Sequence, residues 1–316
     1  MDAPYLSHNA YLKRLFGEKV HRLSLDAGFD CPHRAVRRDP HRAVRRGGGG
    51  CLFCDARGSG TGAFDEGRTV SEQIERAIDR LGRSGVRRYI AYFQAFTNTL
   101  APVDRLRSVY REACDFDGVV GLSVSTRPDA VPDEVLDLLA SFAPGGGEGS
   151  DLDVWIEIGL QSACDATLDR LNRGHDVACF IDAVERAAAR GIKTAAHVIL
   201  GLPGEGPDEM KRTAELVASS PLQGVKLHHL YVTKDSQMAA LFERGEISTL
   251  SLDEYLPLAV DFLRRLRPDQ VVMRLCGSAG KGKLLSPLWK AGAGEVATRI
   301  ATSMREKEFN QGDFLG

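Results

Sequence analysis

Cys51 and Cys54 enclose two residues in "CLFC", and Cys31 stands upstream with nineteen residues between. A C-x2-C pair lets two thiolates from one turn reach a common metal centre, and Cys31 brings the set to three. Three thiolates admit two chemistries. A structural zinc would need a fourth ligand, which His33 or His41 would supply. A 4Fe-4S cluster would bind three of its irons through thiolates and leave the fourth open to a small molecule. Spacing alone keeps both open. Cys114 and Cys179 fall in helical patterns, Cys164 at a helix start and Cys276 in a strand-like run, places where cysteine serves as a small buried side chain.

Polar residues in apolar runs are the second signal. Glu157 interrupts "WIEIGL", where an unpaired carboxylate would be costly, so a buried partner or a ligand is expected. Ser125, Thr126 and Arg127 close "GLSVSTR" just before a helical pattern, where ordinary turn and capping chemistry also accounts for them. His197 sits in the middle of "TAAHVIL", a place a satisfied core histidine fills as well as a site residue does. His228 and His229 are consecutive on one strand, so at most one can face the inside of a barrel. "GLPGE" from Gly201 reads as a tight turn that lets backbone approach a ligand.

Short β-rich runs alternating with amphipathic helical runs must position these residues. The strand-like runs begin at "VHRLSLDA", "RRYIAYFQ", "GVVGLSVS", "LDVWIEIGL", "IKTAAHVILGLP" and "GVKLHHLYVT", giving six β-α units. After the first, strand starts recur about every 30 to 40 residues, as parallel strands with crossover helices require. The runs are apolar on both faces, the pattern of strands covered by helices. A doubly wound sheet and a barrel of β-α units both fit. Polar and glycine-rich chemistry follows nearly every strand, which favours the barrel, whose functional loops gather at the strands' C-terminal ends. There a cysteine set after the first strand would sit at the mouth and suit a reactive centre. The expected division is an N-terminal extension over 1–19, the barrel over 20–266 and a C-terminal extension over 267–316.

The composition is that of an ordinary soluble protein, with 43% apolar and 27% charged residues among 316. Apolar runs fall far short of the roughly 20 residues that cross a bilayer, and the first residues lack an apolar signal core, so a cytoplasmic protein is expected. Seven cysteines in such a chain argue against a disulfide framework. A net charge of −2 excludes a globally basic nucleic-acid binder. Charge is concentrated locally instead, because "PHRAVRRD" and "PHRAVRRG" repeat in tandem between Cys31 and Cys51 and place six arginines in one loop.

A strand, a cysteine loop with an aromatic between the paired cysteines and then β-α repeats resemble the radical S-adenosylmethionine (SAM) superfamily. "SLDAGFDCPHR", "YIAYFQAFTNT", "STRPD", "WIEIGLQS", "NRGHD" and "ILGLPGE" are similar to its YhcC/YtqA-like branch, itself similar to the Elongator catalytic subunit without the acetyltransferase domain. The resemblance spans roughly Val20 to Leu266. It implies an α/β fold, a partial (β/α)6 TIM-like barrel, with a 4Fe-4S cluster on Cys31, Cys51 and Cys54. It also implies SAM on the open iron, cleaved by an electron from a donor such as flavodoxin or ferredoxin to a 5′-deoxyadenosyl radical. By the same resemblance Phe53 lies near the adenine, Arg173 pairs with the SAM carboxylate beside Gln161, and Leu202 of "GLPGE" lies along the adenine.

Two positions depart from the wider pattern. "QAFTNT" replaces the Gly-Gly-Glu stretch that binds the SAM amino group in many relatives, which leaves Thr97, backbone carbonyls or another acid for that task. Ser125 and His197 stand where some relatives carry an acid. Arg127 and Glu157 complete the expected SAM or substrate contacts. The Elongator similarity points to tRNA, at a wobble uridine side chain. A radical enzyme acting on a small metabolite or a protein side chain is the alternative, and a zinc-stabilised nucleic-acid-binding module is a third reading.

The branch carries about a dozen residues in the first cysteine gap, and removal of one eight-residue copy here would leave eleven. Lengthening such a loop from eleven to nineteen residues costs only about 0.5 kcal/mol in closure entropy. A variant lacking residues 32 to 39 should therefore keep its iron-sulfur absorption and its SAM cleavage. Loss of the cluster in that variant would show that both copies are needed.

Overall fold

The computed structural model describes residues 3–34, 49–58, 60–82, 85–148, 151–279 and 282–315. His41 and most of the duplicated arginine-rich stretch lie outside them. The six expected strands are β1 (Val20–Leu25), β2 (Arg88–Phe93), β3 (Val119–Thr126), β4 (Asp153–Gln161), β5 (Lys193–Leu200) and β6 (Gly224–His229). A two-residue strand β7 (Val232–Thr233) follows, and then β8 (Val271–Arg274) joins the sheet beside β6 as a seventh parallel strand. β8 is too short for periodicity to reveal. The order β1-β2-β3-β4-β5-β6-β8 makes a curled, partial barrel, with β1 and β8 as its edges among the described residues. β7 pairs with β9 (Leu284–Ser286) in a separate antiparallel ribbon.

The helices are α1 (His8–Phe16), α2 (Val70–Leu81), α3 (Val103–Cys114), α4 (Asp133–Ser141), α5 (Asp165–Arg170), α6 (Val177–Ala188), α7 (Pro207–Ser219), α8 (Met238–Glu243), α9 (Leu252–Arg265) and α10 (Ala293–Glu306). Local sequence fixes their starts. Thr69 and Ser251 each close a capping box with the glutamate three residues on, which satisfies otherwise orphaned N–H groups of α2 and α9. The outer layer buries Ile74, Leu106, Tyr110, Leu139, Phe180, Val217 and Leu263 against the sheet, forming one continuous core.

The inside of the barrel is built in layers, because inward side chains recur at every second residue of each strand. The N-terminal end is apolar and closed by α1. Val272 donates its N–H to Leu6 O at 2.8 Å, so the segment before α1 extends the β8 edge. α1 then places Leu12 with Val20, Ile90 and Val120, and Tyr11 edge-on to Trp155 with ring centroids 5.7 Å apart. Tyr11 donates to Asp153 Oδ1 at 3.0 Å, and Trp155 Nε1 donates to Oδ2 at 2.8 Å.

The middle layer is polar. Glu157 on β4 is fully buried and accepts from Arg22 of β1 and Lys226 of β6. It also accepts from Ser123 of β3 at 2.7 Å and from His197 Nε2 of β5 at 2.7 Å. Tyr92 of β2 lies between the two cations, its ring centroid 3.9 Å from Arg22 Cζ and 4.1 Å from Lys226 Nζ. Burial alone would raise the Glu157 pKa, but Arg22 and Lys226 hold it well below the usual carboxylate range. Five strands thus meet on one carboxylate.

Removing one partner from such a network leaves buried charge uncompensated, at a typical cost of about 3–5 kcal/mol. Glu157→Gln should lower the unfolding free energy by about that much in urea titrations, with Arg22 and Lys226 left without an anion. A loss below about 1 kcal/mol, the usual scale of surface pairs, would show that the network does not hold the barrel.

Candidate active site

Above the polar layer, at the C-terminal ends of the strands, lies a cavity of about 530 Å³, within the size range of small-molecule sites. Cys31, Cys51 and Cys54 line it together with Phe53, Thr97, Ser125, Arg127, Gln161, Arg173 and His197. Two expected contacts lie elsewhere. Glu157 is beneath the cavity floor, in the network just described, and reaches the cavity only through His197 and Ser125. Leu202 is buried with Leu171, Ile199 and Leu230, in the cluster against which Leu52 and Phe53 pack. It supports the cysteine loop from behind.

The "GLPGE" turn is likewise structural. Gly204 has φ 83°, and a Cβ there would collide with the Arg170 guanidinium, while Glu205 accepts from Ser162 of "LQS". The turn therefore ties the loop after β5 to the loop after β4.

The cysteine loop is held at several points. Leu52 N–H donates to Leu171 O at 3.0 Å, Met238 N–H to Leu52 O at 3.1 Å, and Asn172 Nδ2 to Gly50 O at 2.9 Å. His33 is almost wholly buried with Nε2 2.6 Å from Asn172 O, so this ring holds the loop to the α5–α6 corner. Among the described residues no group of three His, Cys, Asp or Glu side chains converges as a single metal ion requires. A zinc closed by His33 does not match this arrangement. The three cysteines line one cavity, with Cys54 hydrogen-bonded to Cys51, and fit a 4Fe-4S cluster, three of whose irons each take one thiolate.

Two arginines reach the sulfur of Cys51. Arg173 Nη1 lies 3.3 Å from it and Arg127 Nη1 3.7 Å. The Cys54 thiol, donating to Cys51, is the main cause of a Cys51 pKa well below the usual thiol range, with Arg173 and Arg127 adding to it. Cys54 is pushed up correspondingly.

Arg127 is otherwise occupied, donating twice to Asp129 at 2.8 and 2.9 Å and to Arg173 O at 2.7 Å. Arg173 has no carboxylate partner among the described residues, and its buried Nε has no acceptor. Its Nη2 donates to Gly159 O at 3.0 Å, and a Cβ on Gly159 would stand 2.3 Å from that nitrogen, so any larger residue there would displace the guanidinium. Gln161 sits at φ 74° where β4 loses register with β5, an unusual backbone for a non-glycine residue at a site. Thr97 is fully buried with an unpartnered hydroxyl.

His197 is held neutral, its pKa lowered to about 4 by burial. Because the ionised Glu157 can only accept, Nε2 carries the proton and Nδ1 is left as an acceptor. Of the two consecutive histidines, both of which line the cavity, the His228 ring lies 6.1 Å from that of His197 and the His229 ring 4.0 Å from that of Trp289.

Sequence reasoning missed Arg22, Lys226 and Arg274, although each is a charge inside an apolar strand, the same signal that singled out Glu157. Arg34, Arg57 and Lys283 also line the cavity. Among the described residues six cations thus face it against one acid, Asp55.

Comparison with known proteins agrees with this geometry. The profile described as the Radical SAM superfamily matches residues 44–217, and that of the Radical_SAM C-terminal domain matches residues 222–306. Protein YhcC of Escherichia coli is 42% identical over 278 residues, 88% of this chain and 85% of that protein. The tRNA uridine(34) acetyltransferase of Methanocaldococcus infernus is 22% identical over 155 residues, 48% of this chain and 27% of that protein. Among solved structures, an N-terminally truncated Elp3 of Methanocaldococcus infernus shares the fold with a TM-score of 0.69 at 15% identity, over 92% of this chain and 64% of that one. The chain belongs to the radical SAM superfamily, in the branch of YhcC, and is an enzyme that uses a 4Fe-4S cluster and SAM.

Proposed function

We propose that this enzyme modifies tRNA at a uridine, with the cluster on Cys31, Cys51 and Cys54 and with SAM and the target base in the cavity beside them. The observation that carries the choice of RNA is the six-to-one excess of cations over acids around the cavity in a chain whose net charge is −2. Arg34, Arg57 and Lys283 are all at least partly exposed, and such side chains meet phosphates. The partial similarity to a tRNA uridine(34) acetyltransferase supports the same reading.

Held by Cys31, Cys51 and Cys54, a reduced 4Fe-4S cluster would supply the one electron needed to cleave SAM into methionine and a 5′-deoxyadenosyl radical able to abstract hydrogen. The chain's own residues orient and exclude. Arg173, with an unused buried Nε, is placed to hold the SAM carboxylate while Arg127 fixes its backbone. The unpartnered hydroxyl of Thr97 takes the amino group, and Gln161 and Phe53 flank the rest. Ser125 and His197 face the reacting region from a floor backed by the buried network, which keeps bulk water out.

Two tests follow from these roles. Anaerobically reconstituted protein should show iron-sulfur absorption and release 5′-deoxyadenosine under reduction, and Cys51→Ser should lose both. Arg173→Gln should bind SAM roughly tenfold or more weakly, the cost of one charged hydrogen bond, in calorimetry of the reconstituted protein. Unchanged affinity would remove Arg173 from the SAM site.

The substrate is tested separately. Deleting the gene should remove a modified uridine from the mass-spectrometric nucleoside profile of bulk tRNA, and purified protein should bind tRNA with affinity that falls steeply with salt. An unchanged profile would direct the search to a metabolite or a protein side chain.

A further inference from the structure

The inner wall of the cavity carries a charge imbalance that neither the cluster nor SAM accounts for. In register across the sheet, His197 pairs with Lys226, and Lys226 with Arg274. Alternation along β6 puts His228 on the same face as Lys226. Among the described residues the lumen therefore holds Arg22, Arg274 and Lys226, the last with a pKa that burial and the two arginines push well below its usual value, and one carboxylate, Glu157, which Arg22 and Lys226 already share.

Arg274 makes no salt bridge to a carboxylate among the described residues. Its Nη2 lies against the His228 ring, 3.3 Å from Nδ1, and its buried Nε has no acceptor. The loop after β8 presses in on this pair, since a Cβ on Gly277 would stand 2.6 Å from His228 Nδ1. The arginine thus rests on a His228 ring that the loop holds in place, with its unpartnered Nε beside a cavity that both residues line. The imidazoles nearby add no charge of their own, because burial first and these same side chains second keep His197 and His228 neutral. Arg274 also differs from Arg127 and Arg173, the two arginines that touch Cys51.

We propose that Arg274 and His228, above Lys226, form an oxyanion subsite that binds a carboxylate or phosphate of the molecule from which hydrogen is abstracted. A guanidinium with open donors matches either group in a planar, two-point fashion. A substrate anchored there by its anion would present its neighbouring carbon to the middle of the cavity, between this wall and the cysteine wall. The inference rests on the radical SAM reading of the cavity but not on the choice of tRNA.

The experiment is calorimetry of the full-length, cluster-reconstituted protein with sodium acetate and with inorganic phosphate, at ionic strength fixed with chloride. Saturable binding of at least one anion at a single site is expected, and the tighter of the two assigns the group as carboxylate or phosphate. Arg274→Gln should weaken that binding roughly tenfold or more, and Arg274→Lys by less. Arg299→Gln, exposed on α10 away from the cavity, should leave it unchanged. His228→Gln gives the same reading if Arg274→Gln does not fold. Absence of saturable binding of both anions, or undiminished binding in Arg274→Gln, overturns the proposal. A tRNA profile unchanged on gene deletion would bear only on the tRNA reading, so the two can fail independently.

Discussion

One carboxylate holds this barrel together from within. The sheet ends in two edges, β1 and β8, and a curled sheet that does not close by hydrogen bonds needs another tie across its lumen. Glu157 provides it by collecting donors from β1, β3, β5 and β6. Burying such a group is costly in isolation and tolerable only when every lone pair is met, a condition the arginine, lysine, serine and histidine fulfil together. An apolar layer in the same place would pack as well. The polar one also fixes relative strand rotation, because hydrogen bonds are directional where apolar contacts are not.

That layer divides the lumen into two zones. Below it, α1 seals the barrel with Leu12 and Tyr11. Above it, the wall chemistry is sorted by strand. Elements after β1, β3 and β4 bring cysteines and the two arginines that touch Cys51, while β5, β6 and β8 bring His197, His228 and Arg274. The cysteine loop does not stand alone on the N-terminal part of the chain. Met238 of α8 and Gln237 before it hold Leu52 and Gly49 by hydrogen bonds, so the segment after β6 completes the site although it contributes no cysteine.

Much of this was legible because parallel strands buried on both faces read as long apolar runs, and six of the seven could be placed from pattern alone. β8 escaped because four residues carry too little pattern, although "VVMRLC", ending in Cys276, was visible as strand-like. At the site, ten of the expected side chains line one cavity because they follow strand ends, where the fold leaves no other place for them. Leu202 and Glu157 went elsewhere for opposite reasons. A leucine in a glycine turn gains more from packing behind Phe53 than from facing a polar cavity. A glutamate in mid-strand is too deep to reach the cavity, whatever its chemistry. The partners of Glu157 were not legible from any single strand, since Arg22, Lys226 and His197 become neighbours only when the sheet curls.

The duplicated loop can be judged by what its first copy does. His33 and Arg34 open that copy. His33 is bound at Asn172 O, its own carbonyl accepts from Gly50 N–H at 3.1 Å, and Arg34 donates to Ala56 O at 3.0 Å while stacking on Phe96 at 4.7 Å. These contacts fasten the cysteine loop to the α5–α6 corner and to the segment after Cys54. The second copy begins Pro40-His41-Arg42, the same three residue types in the same order. Removal of residues 32 to 39 would bring that triplet directly after Cys31, in the register His33 and Arg34 now occupy. A tandem duplication at this point therefore adds length without displacing a contact, which is the physical reason a functional cysteine set can tolerate it.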